Sequence, residues 1–135
     1  MAFDNLAQFN KEIDDFAKKL VPQQVTLLQK KIILEALRRI VMKTPVDTGR
    51  AKGNWQVTIG AATEQALLTT DADGSETIAA GLAVVAQIPP YSVVWISNNV
   101  TYIEFLEDGS SQQAPEGMVA LTIAELQTMF EGKQL

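Results

Sequence analysis

The sequence TPVDTGRAKGNW, residues 44–55, separates two halves of the chain that differ in character. It is rich in turn-forming residues and ends on the large aromatic Trp55. Asp47 and Thr48 can bond to backbone amides just ahead of them, and Gly49 permits a positive φ. The stretch shows no catalytic spacing. It therefore predicts a loop that is held in a fixed shape and presented to a partner.

Before this loop the sequence predicts two helices. The first has Asp4 as its N-cap and a narrow apolar stripe at spacings of three and four, formed by Leu6, Phe9, Ile13, Phe16 and Leu20. Such a stripe is typical of a helix that faces the core or of one that packs on a neighbouring subunit. The second helix is predicted from about Pro22 to Lys43, and its wide apolar face indicates that it is the most buried.

After the loop the pattern changes to short strands and helices. Strands are predicted at Trp55–Ile59 and Tyr91–Ser97, and helices at Thr77–Gln87, within Val100–Glu107 and at Glu116–Glu131. The first of these helices is expected to be capped by a box over Asp73–Glu76 or by Ser75 alone. Within residues 60–73, a strand at 66–70 and a mobile loop or hairpin are equal expectations.

These elements predict an α+β fold in a single domain, residues 1–135, with a helical part (1–43) and a mixed part (44–135). The expected architecture is two N-terminal helices, a small β-sheet with an intervening short helix, and a C-terminal helix.

Composition excludes several kinds of site. The chain has no cysteine and no histidine, which removes disulfides, zinc sites with Cys or His ligands, Cys nucleophiles and His-based acid–base catalysis. Its apolar runs are shorter than the roughly 20 residues that a membrane span needs. The N-terminus carries acids where a secretory signal would be basic and apolar. These features predict a cytoplasmically made protein with no membrane association.

The charge is unevenly distributed along the chain. Residues 1–60 hold 10 Lys/Arg and 6 Asp/Glu, whereas residues 61–135 hold 1 Lys and 10 Asp/Glu. The simplest interpretation is solvated surface charge. The asymmetry also suits head-to-tail packing of identical subunits, with a basic face against an acidic one.

The acidic and basic residues suggest two chemical functions, cation binding and DNA binding. Glu104, Glu107 and Asp108 could bind a hard cation if the fold added a partner, but acids at a helix end are usually solvated. We therefore expect no enzyme activity, no metal and no cofactor. The basic residues between 38 and 52 favour an alternative function, an oligomeric DNA-binding adaptor. In that alternative Trp55 could stack on bases, although a strand residue more often faces the core.

Two stretches together resemble one family. TPVDTGRAKGNW (44–55) is similar to a turn motif of the minor tail-component or neck proteins of long-tailed, lambda-like phages and prophages. ISNNVTYIEFLEDGSSQQAPEGMVA (96–120) is similar to that family's second motif. The resemblance implies a head–tail joining or tail-completion protein of the virion neck, assembled in the host cytoplasm. It implies a ring, with six subunits favoured over twelve, that passes genomic DNA between a head connector or stopper and a tail terminator or tail tube. An acidic wall would suit that conduit, because it repels the phosphate backbone.

The resemblance also implies which residues contact neighbouring subunits or adjoining rings. In residues 44–55 these are Asp47, Thr48, Gly49, Arg50, Lys52 and Trp55. In residues 107–117 they are Glu107, Gly109, Gln113 and Pro115. A salt bridge from Arg50 to an acid such as Glu107 is a hypothesis, within or between subunits. For Gly49 and Gly109, a purely turn-forming role is an equal expectation.

Overall fold

The computed structural model describes residues 6–15, 18 and 21–131. The helices are α1 (Leu6–Asp15), α2 (Val21–Lys43), α3 (Ser75–Val85), α4 (Ile103–Glu107) and α5 (Val119–Phe130). The strands are β1 (Gln56–Ile59) and β2 (Val94–Ser97), and a single 3-10 turn, Lys52–Asn54, precedes β1. This arrangement is the α+β fold that the sequence predicts.

The central element is α2, which begins one residue before Pro22 and ends where Thr44-Pro45 follows. A residue before proline avoids the α region, so the helix ends there. The Thr44 hydroxyl donates to the Ile40 carbonyl at 2.7 Å and occupies one of the last helical acceptors. Leu37 and Val41 are fully buried on the face that α2 turns to the rest of the domain.

The sheet is a two-stranded antiparallel pair in which Gln56 lies opposite Ser97 and Ile59 opposite Val94. Such a pair is marginal on its own and needs a covering layer. One face carries Val57 and Ile96, which pack into the core beside α2 and α3. The other face carries Trp95, which is 44% exposed.

The core draws on both halves of the chain. Its buried members are Ile33, Leu37, Ile40, Val41, Trp55, Val57, Val85, Ile88, Ala114 and Met118. Ala114 and Met118 come from the loop that precedes α5, so this loop is tied to the core by its own side chains. No helix in the described part of the chain is long and apolar enough to cross a membrane.

Several boundaries differ from the predictions. The strand predicted from Tyr91 begins only at Val94, because Pro89-Pro90 and a positive φ of 59° at Tyr91 turn the chain first. Residues 61–71 contain no strand. The C-terminal helix begins at Val119, after a turn at Gly117 with φ 80°. The predicted N-cap Asp4 lies outside the described residues, as do Phe16 and Leu20 of the predicted apolar stripe.

The cap predicted for α3 was also wrong. Ser75 is not the N-cap, and no box closes between Asp73 and Glu76, although the Asp73 carboxylate accepts from the Ser75 amide at 2.9 Å. The other acceptor at this end is the Asp71 carboxylate, which accepts from the Gly74 and Thr77 amides at 3.1 and 2.8 Å. It also accepts from the Thr77 hydroxyl at 2.7 Å.

Candidate assembly surface

The first loop, residues 44–55, is anchored at both ends. Trp55 closes the C-terminal end, and its indole N–H donates to the Thr44 hydroxyl at 2.7 Å. Trp55 is 7% exposed and Thr44 is buried, so this bond joins the two ends of the loop inside the core. The loop shape therefore depends on packing beneath it as well as on its own turns.

The middle of the first loop is held by a single carbonyl. The Gly49 oxygen accepts from the Gly53 and Asp71 amides, both at 2.9 Å. Gly49 has φ 89°, and a Cβ built on it would lie 2.8 Å from the backbone nitrogen of Ala72. A side chain there would be strained and would also collide with the neighbouring backbone. Glycine is therefore required for the loop to lie against residues 71–72.

The second loop, residues 107–117, is closed by a carboxylate. Glu107 Oε1 accepts from the Met118 and Val119 amides, and Oε2 accepts from the Ala120 amide, all at 2.9 Å. These amides lie at the start of α5 and have no partners within their own helix. Burial raises the pKa of Glu107, but the bonds from Ala120, Val119 and Met118 together outweigh it and hold the pKa below its ordinary value.

The second loop also contains a required glycine. Gly109 has φ 89°, and a Cβ at this position would overlap the Pro115 carbonyl oxygen. The two ends of the loop consequently approach each other at a point where no side chain fits. Gly109 and Pro115 thus determine the loop conformation together.

Gln113 joins the two loops. Its side-chain Oε1 accepts from the Val46 N–H at 2.9 Å, and its Nε2 donates to the Val46 carbonyl at 3.1 Å. The side-chain amide thus pairs with the backbone much as a strand residue would, across 67 positions of sequence. The two stretches that suggested a phage protein therefore form one continuous surface.

A cleft of about 440 Å³ lies between the loops. One wall is formed by residues 45–51, and the other by Tyr102, Leu106, Ser111 and Gln113. Arg50 lies in this cleft, and its Nε is buried without a hydrogen bond to any described residue. Asp47 and Thr48 are exposed beside it. The cleft thus combines a cation, an acid and apolar side chains in a preformed recess.

Three of the expected interface residues are buried within the domain. Trp55 belongs to the core, which also excludes the base-stacking role considered for it in this chain. Lys52 is 7% exposed and passes beside Gly74. Gly49 is buried as well, whereas Gln113 and Pro115 are exposed. The surface that these loops present consequently centres on Asp47, Thr48, Arg50 and Gln113.

The hypothesis of a salt bridge between Arg50 and Glu107 is wrong within the chain. Glu107 directs both carboxylate oxygens to backbone amides, and Arg50 forms no ion pair with a described residue. The three amides are a fixed set of donors, so a guanidinium would have to displace them. Among the described residues there is also no cluster of three or more His, Cys, Asp and Glu side chains that could hold a metal.

The basic face of α2 is mostly paired with acids. Arg39 binds Glu35 at 2.9 Å and Glu125 of α5 at 3.2 Å, and Lys43 also binds Glu125. The bond from Lys43 and the weaker bond from Arg39 hold the pKa of Glu125 below its ordinary value. These ion pairs connect α2 to α5 and occupy two of the five cations considered for DNA binding.

Comparison with protein-family models, curated proteins and solved structures finds no match for this chain.

Three asparagine and aspartate residues that support the surface were not predicted from the sequence. Asn54 is fully buried and binds the Arg50 carbonyl at 2.7 Å and the Leu67 backbone. Asn98 donates to the Ala51 carbonyl at 2.8 Å, and Asp71 binds Gly49 through its amide. The signal for them is weak, because asparagine and aspartate in turns bond to backbone in many ways.

Proposed function

We propose that this chain is a structural protein of a phage neck, which joins the head connector to the tail as a ring through which DNA passes. The observation that carries the proposal is the pair of bonds between Gln113 and Val46. It places the two motifs of the family resemblance side by side, although they are far apart in the sequence.

The rigidity of this surface supports an assembly role. Each loop has a glycine at φ 89° that no other residue can replace without strain, and each is anchored in the core. A surface that is already ordered loses little conformational entropy when a partner binds. A subunit that must meet identical neighbours in a closed ring benefits from such preorganisation.

The proposed partners follow from the place of the ring. The head connector or stopper lies on one side, and a tail terminator or tail-tube protein lies on the other. Six copies are favoured by analogy with the symmetry of tail assemblies, and twelve is the alternative. The product of assembly would be found in the virion neck.

The DNA-binding adaptor has less support from the contacts. Of the cations between residues 38 and 52, Arg39 and Lys43 are bound to acids, and Lys52 is buried. Arg38 and Arg50 remain, and Arg38 contacts Glu35 at 3.4 Å. Two separated arginines would give weak binding that falls steeply with salt. Salt-dependent DNA binding by the purified protein would nevertheless favour the adaptor.

The test is complementation of a phage that lacks this gene. Loss of the chain should leave separate heads and tails in lysates seen by negative-stain electron microscopy, and the wild-type chain should restore joined particles. Arg50→Glu reverses the charge in the cleft and should fail to restore them. Arg38→Glu is the matched control, because Arg38 is exposed on α2 away from both loops.

Thermal denaturation must accompany this experiment, so that a folding defect of Arg50→Glu is not taken for an assembly defect. Normal joined particles without the gene would refute the proposed function. Normal particles with a folded Arg50→Glu variant would instead refute only the role of this cleft.

A further inference from the structure

An extended segment beside the sheet is held by side chains instead of by backbone pairing. Residues 63–71, here called the edge segment, follow β1 after the turn at Gly60. Asn54 binds Leu67 twice, accepting from its N–H at 2.5 Å and donating to its carbonyl at 3.1 Å. Gln56 donates to the Gln65 carbonyl at 2.8 Å. These amides thus imitate the ladder of a neighbouring strand.

The hydrogen bonds of the edge segment alternate along the chain. Backbone groups that bond to described residues belong to four of the five odd positions, with Thr69 as the exception: Thr63, Gln65, Leu67 and Asp71. The backbone groups of the even positions form no hydrogen bond with any described residue: Glu64, Ala66, Leu68 and Thr70. Over residues 63–68 this period of two is that of a strand whose backbone groups are bonded along one edge and open along the other. Leu68, on the open side, is 89% exposed.

The second open edge belongs to β2. The Gly60 amide donates to the Val93 carbonyl at 2.7 Å, in the same register as the pairing of β1 with β2. Hydrogen-bonded pairs alternate in an antiparallel ladder, so Trp95 directs its backbone groups to β1. Val94 and Ile96 therefore direct theirs away from β1, at the outer side of a two-stranded sheet. Trp95 in this strand, and Val93 just before it, also expose apolar side chains.

We infer that β2 of one copy pairs with the edge segment of the next copy, so that strand pairing between subunits closes the ring. Each copy supplies one edge of each kind. The contact is then heterologous, and such a contact generates a ring when the rotation between copies closes. Main-chain pairing at an exposed sheet edge is a recurring mode of recognition. The inference rests on the proposed function for its ring, and it names the surface through which that ring is built.

Charge complementarity indicates that the partner at each open edge is a second copy of this chain. The edge segment and the residues after it carry Glu64, Asp71, Asp73 and Glu76, and no lysine or arginine occurs between residues 53 and 132. The residues just before β2 lie beside the basic α2, where Gln29 donates to the Ser92 carbonyl at 2.7 Å. On the same helix, Lys30 donates to the Ala86 carbonyl at the end of α3 at 3.2 Å. Lys31 is exposed on the same helix. Pairing of the two edges therefore brings a basic flank towards an acidic one.

Cysteine cross-linking tests the contact in assembled particles. The chain has no natural cysteine, so Leu68→Cys with Val93→Cys supplies its only thiols. A short bismaleimide should convert the subunit in purified particles into a ladder of covalent multimers. The control is Leu68→Cys with Ile123→Cys, because Ile123 is 51% exposed on α5 and not on the sheet. It should give no ladder.

A proline variant separates the backbone from the side chain. Leu68→Pro removes an N–H that the isolated chain does not use, so its thermal stability should remain within about 0.5 kcal/mol of wild type if the fold is intact. Joined particles should fall about tenfold or more, since one ladder bond is lost at every interface. Leu68→Ala keeps the N–H and should assemble better than Leu68→Pro.

The outcomes distinguish the strand pairing between copies from the proposed neck function. A ladder only in the control pair, or full assembly by a folded Leu68→Pro, would overturn the strand pairing while the neck function stands. Cross-links to a different protein would overturn the second copy as the occupant. Absence of the chain from joined particles would overturn the proposed function itself.

Discussion

Glu107→Gln tests whether one carboxylate holds the second loop to α5. Both oxygens of Glu107 accept amide bonds in the structure, three in total at 2.9 Å. Glutamine keeps one acceptor oxygen but turns an NH₂ group towards an amide donor. Loss of a capping acceptor costs about 0.5–2 kcal/mol, and an unsatisfied donor adds about 1–3 kcal/mol when it is buried. We expect the free energy of unfolding to fall by about 2–3 kcal/mol, or Tm by roughly 10 °C.

The effect should depend on pH in one direction. Burial raises the pKa of Glu107, yet the three amide bonds lower it further, so the folded-state pKa lies below the ordinary value of 4.5. The stabilisation by the carboxylate is therefore complete above that ordinary value and is lost as the pH falls through the folded-state pKa. Glutamine does not titrate. The difference between wild type and Glu107→Gln should be full at neutral pH and should shrink in acid.

Urea denaturation followed by circular dichroism, from neutral pH downward, measures both effects. Glu104→Gln is the matched control, because Glu104 is an exposed acid of α4 whose carboxylate bonds to no described residue. The reasoning is refuted if Glu107→Gln lies within about 0.5 kcal/mol of this control at neutral pH. It is also refuted if the difference is the same at every pH.

Two further changes test the loop surface by thermal denaturation. Gln113→Ala removes both bonds between the loops and should lower the free energy of unfolding by about 1–2 kcal/mol. Gln112→Ala, at the exposed neighbouring position, should leave the free energy of unfolding almost unchanged. Equal losses in the two variants would show that the bonds do not stabilise the chain. Gly109→Ala should cost more than Gly60→Ala, although both glycines have nearly the same φ, because only Gly109 faces the Pro115 carbonyl. The free energy of unfolding should fall by about 1 kcal/mol in Gly60→Ala, from backbone strain alone, and by at least twice as much in Gly109→Ala. A larger loss in Gly60→Ala than in Gly109→Ala would contradict the steric argument.

The sequence predicts the elements of this fold well because the main signals are local. The proline after Thr44 ends α2, and β-branched and aromatic residues produce β2. The fold class needs only the order of such elements. Boundaries were less accurate where two local rules conflict, as at Tyr91, where strand-forming side chains follow Pro89-Pro90.

The contacts of the site could be predicted only in part. The turn-forming roles of Gly49 and Gly109 follow from residue type, and both have positive φ. The partner of Glu107 does not follow, because its carboxylate accepts from three amides at the start of α5, and no local pattern in the sequence indicates that contact. The burial of Lys52 involves contact with Gly74, which is distant in sequence and gives no local signal.

The second loop has a consequence for how such a surface can diversify. Ala114 and Met118 are buried in the core, while Gln112 and Glu116 between and beside them are exposed. Residues 114 and 118 are thus constrained by the interior, whereas residues 112, 113, 115 and 116 face the exterior. Substitutions that adapt the surface to a new partner are tolerated at the exposed positions. Substitutions at the buried positions lower stability and are selected against. Among related chains, we expect variation to concentrate at Gln112 and Glu116 and volume to be conserved at Ala114 and Met118.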